Sequence, residues 1–426
     1  MRSHAMIVLS AGTLLLACAA VAATARAAAA APASGIESRR AALRALLDEQ
    51  WQYHLKVSPE LASYIGDKRY NDQLSDLSQA EIDRELAKAR EFLTRFEAVD
   101  TAGFPEQEAL DKVLMVRNLR EFLDGARFKP WEMPVNQLSG IHIEAPTLVE
   151  VLTFTAVKDY DDLVVRYHKL PVAFDQTVEQ MRKGLADGLM PPKFLLEKVA
   201  GQAAAIAGQK PEDTAFAEPL AKFPASVPAA EQGRIRQAML AAIRDDVLPA
   251  YRRYADFVKN EYAPRGRAEA GMWSLPDGAA RYAFQVKSNT TTDLTPEQIH
   301  QIGLRQVAEI ERQMTAIASR LGYADLKSLN AKVQSDPALR ARSREQILDI
   351  YRGYIDAMYA KLPELFGRLP KAKVEVVPGC VRIRRAASGG RRRGRPPNRR
   401  GRWPRPGFRG APTPRGSRGK PRSGRG

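Results

Sequence analysis

Apolar residues recur at three- and four-residue spacing from Gly35 to about Pro370, and the segments that carry them are too long to be strands. This spacing is that of one face of an α-helix. In the first segment the residues on a shared face are Leu43, Leu46, Leu47, Trp51, His54 and Leu55. The pattern predicts an all-α fold, a bundle of several helices.

Cap signals place the start of several helices. Ser78 and Glu81 are spaced as a capping box and predict a helix that begins there and runs to about Phe96. The helical pattern continues over residues 106–122, 160–184, 192–209 and 229–262. Pro171 and Pro249 lie inside these segments, so we expect kinks or breaks at both.

The clearest helix signal begins at Thr295, with Pro296 in the first turn, Gln298 completing the cap and Gly322 as the stop. Its apolar stripe is Ile299, Ile302, Val307, Ile310, Met314, Ile317 and Leu321. A second helix, residues 343–362, repeats this pattern with Ile347, Tyr351, Tyr354, Met358 and Leu362. We expect the Thr295 stripe to lie in the core. Only residues 374–377, Val-Glu-Val-Val, predict a strand.

Residues 1–31 have the features of a signal peptide, with a short basic start, an apolar run and small residues around the expected cleavage sites. Leu-Ala-Cys at Cys18 offers a lipid-attachment site as an alternative to simple cleavage. No later stretch is apolar over the ~20 residues that a membrane span needs. We therefore predict an exported protein, periplasmic or secreted, or an outer-membrane lipoprotein tethered at Cys18.

The composition changes abruptly after Pro378. Residues 379–426 contain 16 Arg, 1 Lys, 11 Gly and 7 Pro, and no Asp, Glu or Leu. Without those 17 cationic residues the chain has 49 Lys and Arg against 49 Asp and Glu, so the whole net charge of +17 lies in this segment. Such a composition cannot build a core. The sequence therefore predicts a helical domain over 32–378 and a disordered basic tail over 379–426.

The basic tail has two explanations. It is either an arm that binds polyanions nonspecifically through its guanidinium groups, or the product of a reading-frame shift in a GC-rich gene. GC-rich codons specify Arg, Gly, Pro and Ala in every frame, and the sudden loss of acidic residues favours the frame shift. Export argues against nucleic acid as a partner and leaves anionic lipid or polysaccharide.

The residues and their spacing, considered without any family resemblance, identify no active site. None of the five histidines is followed by Glu and no two are four residues apart, so the paired-histidine zinc helix is absent. His142 lies two residues before Glu144 in an expected loop and is the one histidine–carboxylate pair worth testing as a metal site. We expect His54, His168 and His300 to have packing or hydrogen-bonding roles. The helical body, residues 32–378, contains no cysteine.

Three blocks of sequence together resemble the bacterial family called domain of unknown function 885. The blocks are residues 51–72, with Trp51-Gln52-Tyr53 and Ile65-Gly66-Asp67; residues 181–191, with Met181-Arg182-Lys183-Gly184, Gly188 and Pro191; and residues 261–304, with Trp273, Pro276-Asp277-Gly278, Tyr282 and Thr295-Pro296-Glu297. The resemblance covers roughly Ala42 to Pro378. It implies an exported, largely helical protein whose fold is like that of helical zinc metallopeptidases.

Intact members of that family carry a His-Glu-x-x-Pro-Gly-His-His helix near the C-terminal end, whose histidines would hold zinc and whose glutamate would activate water. No position of this sequence corresponds to that motif. We therefore assign no catalytic, cofactor-binding or metal-binding residue, although zinc and a peptide substrate are expected for intact relatives.

The leading interpretation is thus a family member that ends before its metal motif and is inactive as written, with an incomplete fold whose helix stripes face water and promote aggregation. The alternatives are a non-catalytic helical binding or scaffold protein of the cell envelope, and polyanion binding through the tail.

Overall fold

The computed structural model describes residues 35–378, so the predicted signal peptide and basic tail lie outside the described residues. Contacts divide the chain into a unit that ends at Val376 and one that begins at Val377, and every described helix belongs to the first. The α-helices are α1 (35–57), α2 (Pro59–Tyr64), α3 (Gln79–Glu97), α4 (Glu106–Ala126), α5 (Ile141–Val151), α6 (Val157–Ala186), α7 (Lys193–Ala207), α8 (Ala229–Ala242), α9 (Leu248–Phe257), α10 (Gly278–Thr290), α11 (Pro296–Arg320), α12 (Leu326–Ser335) and α13 (Arg344–Leu365). The all-α prediction is confirmed.

The cap residues act as the sequence predicts. Ser78 Oγ accepts a hydrogen bond from the Glu81 amide at 3.3 Å, at the start of α3. At the start of α11, the Thr295 hydroxyl accepts a hydrogen bond from the Gln298 amide at 3.2 Å. The Gln298 side-chain oxygen accepts from the Thr295 amide at 2.8 Å. A serine cap also begins α13, where Ser343 accepts from the Gln346 amide at 3.1 Å.

A small apolar cluster joins the three helices α1, α3 and α4. Its buried members are Leu43, Leu46, Ala89, Phe92, Phe96 and Leu119. Leu43 and Leu46 come from the face that the helical spacing predicts for α1, and burying a leucine or phenylalanine side chain stabilises the fold by roughly 1.5–3 kcal/mol. Trp51, which the same spacing assigns to this face, is 41% exposed.

The larger core is built from α5 to α9, and its buried members all lie between Val135 and Ala263. Aromatic rings fill its centre. Phe174 makes an edge contact with Tyr251, with centroids 4.7 Å apart, and the hydroxyl of Tyr167 donates to the carbonyl of Phe216 at 2.7 Å. Both tyrosine hydroxyls need such partners because an unpaired buried hydroxyl is costly; Tyr251 donates to the carbonyl of His142 at 3.1 Å.

Pro171 and Pro249 behave differently from each other. We expected a kink or a break at Pro171, and helix α6 continues through this residue without a break. The region from α8 to Tyr262 is helical throughout, but two π-helical turns, Ile243–Val247 and Val258–Tyr262, interrupt the α geometry. The first ends directly before Leu248-Pro249, where its wider turn accommodates a residue that cannot donate to the helix ladder.

The C-terminal helices depart from expectation. The spacing predicts that the α11 stripe lies in the core, yet Ala318 is the one buried residue of that helix, and Val307, Ile310 and Leu321 are 50–58% exposed. Helices α12 and α13 have no buried residue. The spacing correctly predicts an apolar face but cannot say whether anything covers it. Residues 374–377 form no strand, because no neighbouring strand is present among residues 35–378 to pair with them.

A short 3₁₀ turn, Pro130–Glu132, packs against α6 at Gly184. A Cβ atom at this glycine would lie 2.1 Å from the carbonyl oxygen of Glu132, far closer than van der Waals contact allows. The backbone of the turn therefore occupies the space that a side chain would need.

We expect Gly184→Ala to lower the free energy of unfolding by ~1–3 kcal/mol, because the turn must move away from the helix. Gly201→Ala is the matched control, since Gly201 is also helical but a Cβ there meets nothing within 4 Å. The control should raise stability by ~0.5–1 kcal/mol. Urea unfolding followed by circular dichroism measures both; equal effects at the two positions would contradict the packing described.

Candidate functional site

A cleft of about 360 Å³ lies where the 3₁₀ turn meets the C-terminal end of α6. Its lining residues are Gln79, Lys129, Trp131, Glu132, Lys183, Ala186 and Asp187. The cleft thus combines two carboxyl groups, two ammonium groups and an indole. We call it the Glu132 cleft.

The backbone around the Glu132 cleft is unusual for its residue types. Lys129 has φ 47°, in the left-handed region that a non-glycine residue occupies only at a cost. Gly188, with φ 71°, ends the turn that follows α6. The Lys129 ammonium forms a short ion pair with the carboxylate of Asp187, the residue before Gly188.

Glu132 is the buried member of the cleft, with 4% of its side chain exposed. Its Oε1 is 3.4 Å from the Lys129 ammonium, while Oε2 has no hydrogen-bond partner among the described residues. Trp131 Nε1, next in the chain, is also buried without a partner there. Burial raises the pKa of Glu132; the Lys129 ammonium opposes this, and the Asp187 carboxylate adds to it. The hydrogen bond from Lys129 holds the pKa of Asp187 below its usual range.

The two carboxyl groups therefore differ in proton affinity although they lie beside each other. The pKa of Glu132 is raised above its ordinary value and that of Asp187 is lowered below it. Two carboxyl groups whose environments separate their pKa values are the arrangement used for acid–base chemistry. Such pairs also occur as structural ion networks, and both ammonium groups here have carboxylate partners, with Lys183 3.1 Å from Glu179.

Two of the blocks that carry the family resemblance meet beside this cleft. Residues 181–191 include Gly184 and the turn at Gly188, and a Cβ at Gly188 would lie 3.6 Å from Pro276 of the third block. Arg281 of the third block donates to the carbonyl of Phe128 at 2.6 Å and to that of Pro276 at 2.8 Å. The turn that presents Lys129 and Glu132 is therefore fixed by both blocks.

A larger cavity, about 1180 Å³, lies between α4 and α10. Val113, Val116 and Phe284 supply its apolar surface. Its charges are mostly paired: Arg120 bonds Glu97 at 2.6 Å, and Arg117 lies 3.4 Å from Glu121, which also accepts from Ser288. The lining as a whole carries five cationic and three acidic side chains.

Within residues 35–378, no histidine belongs to a group of three or more possible metal ligands. His142 lies in α5 and not in the loop we expected. The prediction missed this helix because its apolar pattern is short and Pro146 lies inside it. Glu144 accepts from the Gly140 amide at 2.9 Å and caps the helix. The imidazole of His142 is buried, 3.3 Å from the Gln202 side chain and stacked on Tyr254. No group of three or more possible metal ligands occurs within residues 35–378.

The other histidines have ordinary environments. His54 is half-buried beside Trp51, and burial lowers its pKa. His168 Nδ1 lies 2.7 Å from the Asp246 carboxylate on the outer side of α6. His300 is exposed in the first turn of α11. The packing and hydrogen-bonding expectations agree with the positions of His54 and His168, whereas His300 contributes to no core.

Sequence reasoning did not find Glu132. Lys-Pro-Trp-Glu has no spacing that points to a site, and its importance appears only when α6 brings Asp187 to the same place. The glycines of the second block were the one available signal, since a residue type without a side chain indicates close approach of the backbone.

The fold and the cleft define an all-helical domain without a familiar catalytic constellation in the described residues. The sequence model of a family described as "Bacterial protein of unknown function (DUF885)" matches residues 59–410. The chain belongs to this family. The match extends past Pro378, where we expected the resemblance to end, and so includes part of the basic segment.

Among solved structures, the chain is similar to a candidate lipoprotein from Colwellia psychrerythraea, with a TM-score of 0.72 and 21% sequence identity. The similarity covers 79% of this chain and 61% of that one, so the chain spans about three-fifths of the length of its solved relative. It establishes the helical fold. No curated protein matches the sequence. None of the described helices is long and apolar enough to cross a membrane.

His142 predicts a pH dependence of stability. Burial lowers its pKa to about 4 from an ordinary value of 6.5, so the folded chain keeps it neutral while the unfolded chain takes up a proton below pH 6.5. Its stabilising contribution is complete above that pH and is lost as the pH falls toward 4, by about 3 kcal/mol in total.

We expect His142→Phe, which keeps a ring against Tyr254, to show a flatter decline of unfolding free energy between pH 6.5 and 4 than the unsubstituted protein. The exposed His300→Gln is the control and should leave the slope unchanged. A His142→Phe slope that equals the control's slope would show that folding does not lower the pKa of His142.

Proposed function

We propose that the chain is an exported protein of peptidase-like ancestry that does not hydrolyse peptides by itself. Membership of the family and similarity to a candidate lipoprotein support an envelope location. The observation that carries the proposal is the exposure of the apolar faces of α11 and α13, where Tyr354 and Met358 are more than 60% exposed. Such faces are expected where further helices should complete the fold.

The resemblance predicts that the zinc ligands of intact relatives belong to a His-Glu-x-x-Pro-Gly-His-His helix, and this sequence contains no such stretch. Zinc chemistry therefore belongs to the intact relatives in this proposal, and no residue of this chain is assigned to it. A frame shift after Pro378 is the proposed origin of the difference, although the family match extends to residue 410. Translation of the other two frames of the DNA tests it directly.

We expect the purified full chain to bind less than stoichiometric zinc and to leave a quenched-fluorescence peptide library uncleaved. Zinc is measured by elemental analysis after dialysis, and a family member that contains the motif is the positive control, tested with and without a chelator. Stoichiometric zinc together with chelator-sensitive cleavage by this chain would overturn the proposal.

A non-catalytic binding or scaffold role is the second candidate, and the closed core between Val135 and Ala263 favours it. A body that completes its own core can serve as a folded unit without further chain. In this case the Glu132 cleft would be a binding surface and no turnover would be needed.

That role predicts cooperative unfolding of the full chain in urea, with helix content and tryptophan fluorescence changing together. The Leu163 side chain is 1% exposed, so Leu163→Ala should lower the free energy of unfolding by ~2–5 kcal/mol. Both transitions should shift equally. Gradual, non-coincident loss of the two signals would indicate a loosely packed product and count against this role.

A further inference from the structure

Two residues that line the Glu132 cleft each have a buried polar atom that no described residue satisfies. One atom is Glu132 Oε2, whose side chain is 4% exposed, and the other is Trp131 Nε1. The neighbours of Glu132 do not supply the missing donor, because the Lys129 ammonium lies beside Oε1 and the ionised Asp187 carboxylate is itself an acceptor. A buried polar atom without a partner is costly, so both atoms favour a ligand that brings hydrogen bonds into the cleft.

The charges that line the cleft cancel. Lys129 and Lys183 carry two positive charges, and Glu132 and Asp187 carry two negative charges when both are ionised. A charged ligand therefore gains little net attraction from the lining and has to give up its own hydration on entering. The balance of charge favours a neutral ligand.

The two unpaired atoms need opposite partners. The indole nitrogen of Trp131 donates only, whereas an ionised Glu132 carboxylate accepts only. A hydroxyl group donates and accepts through one oxygen, so the same kind of group serves both atoms. Further hydroxyl groups on such a ligand can accept from Lys183 and donate to Asp187. A neutral ligand with several hydroxyl groups thus matches the lining.

The indole ring and the size of the cleft narrow the ligand further. The ring of Trp131 offers an apolar face beside its N–H group, and this combination suits a molecule with both C–H and O–H groups. The cleft volume, about 360 Å³, lies at the lower end of the ~300–1,000 Å³ that is typical of ligand pockets. It therefore has room for a single sugar ring.

A hydroxyl group reaches the buried atoms only if a side chain moves. Lys129 is 46% exposed and its ammonium lies 3.4 Å from Glu132 Oε1, so this side chain covers the buried carboxyl group from the solvent side. Its flexible four-carbon chain can swing outward. The backbone of the 3₁₀ turn is instead held against Gly184. The lysine side chain is therefore the part that yields to a ligand.

We propose that the Glu132 cleft binds a neutral monosaccharide in its pyranose form, through hydroxyl groups that bond Trp131 Nε1 and Glu132 Oε2. This inference rests on the binding role proposed above and names the class of ligand. Hydroxyl groups exchange hydrogen bonds with water for hydrogen bonds with the protein, so the net gain is small. We expect a dissociation constant of ~1–10 mM.

Ligand-detected NMR titration of the purified full chain tests the proposal, with glucose, galactose and mannose as probes. At least one of them should bind, and glucuronate and glucosamine, which add a charge, should bind more weakly than the neutral sugar. Trp131→Phe and Glu132→Gln should each weaken the binding by ~5–10-fold, since each removes about one hydrogen bond. Trp51→Phe and Glu85→Gln, the same substitutions outside the cleft lining, should leave it unchanged. Circular dichroism verifies that the variants are folded.

Three results would overturn the inference: no binding of any neutral probe up to ~50 mM, tighter binding of a charged sugar or of acetamide, or an affinity indifferent to both cleft substitutions. If Glu132→Gln does not fold, Trp131→Phe alone decides. Absent sugar binding together with coincident unfolding transitions would overturn this inference and leave the binding role standing. Non-coincident transitions would count against the binding role itself.

Discussion

The buried guanidinium of Arg166 holds the N-terminal part of the chain onto the central helix. Its Nε donates to the carbonyl of Gln73 at 2.7 Å, and its Nη2 donates to the carbonyl of Tyr70 at 2.8 Å and to the hydroxyl of Ser63 at 3.0 Å. Burial lowers the pKa of Arg166, since the charged form is costly at 2% exposure. A charge in such a place persists only when hydrogen bonds compensate it, so the loop after α2 has little freedom to leave α6.

Helix α6 then connects this anchor with the Glu132 cleft. Lys68, in the same loop, bonds Asp159 at the start of α6 at 2.8 Å, whereas Gly184 at the other end admits the carbonyl of Glu132. The first family block is therefore largely structural, because its polar side chains are occupied in attaching the loop. The second and third blocks, in contrast, surround a cleft in which the pKa values of two carboxyl groups are shifted in opposite directions.

Much of the helical fold could be predicted from the sequence where cap chemistry and apolar spacing agree, as at Ser78 and Thr295. Local signals failed for α5, whose short pattern is interrupted by Pro146, and for the π-helical turns, which depend on packing around α9. The cleft could not be predicted, because Glu132 and Asp187 are far apart in sequence and only the path of α6 brings them together. Burial of α11 was predicted wrongly because periodicity specifies a face without specifying what lies against it.

The larger core has one further consequence, which concerns the order in which the chain is made. All its buried members lie between Val135 and Ala263, and none of α10 to α13 contributes to it. Domains fold from the N-terminal side during synthesis. This core can therefore form while the ribosome is still producing the segments that follow. Its packing does not depend on the distal end of the gene, so insertions, frame changes or extensions there leave it intact.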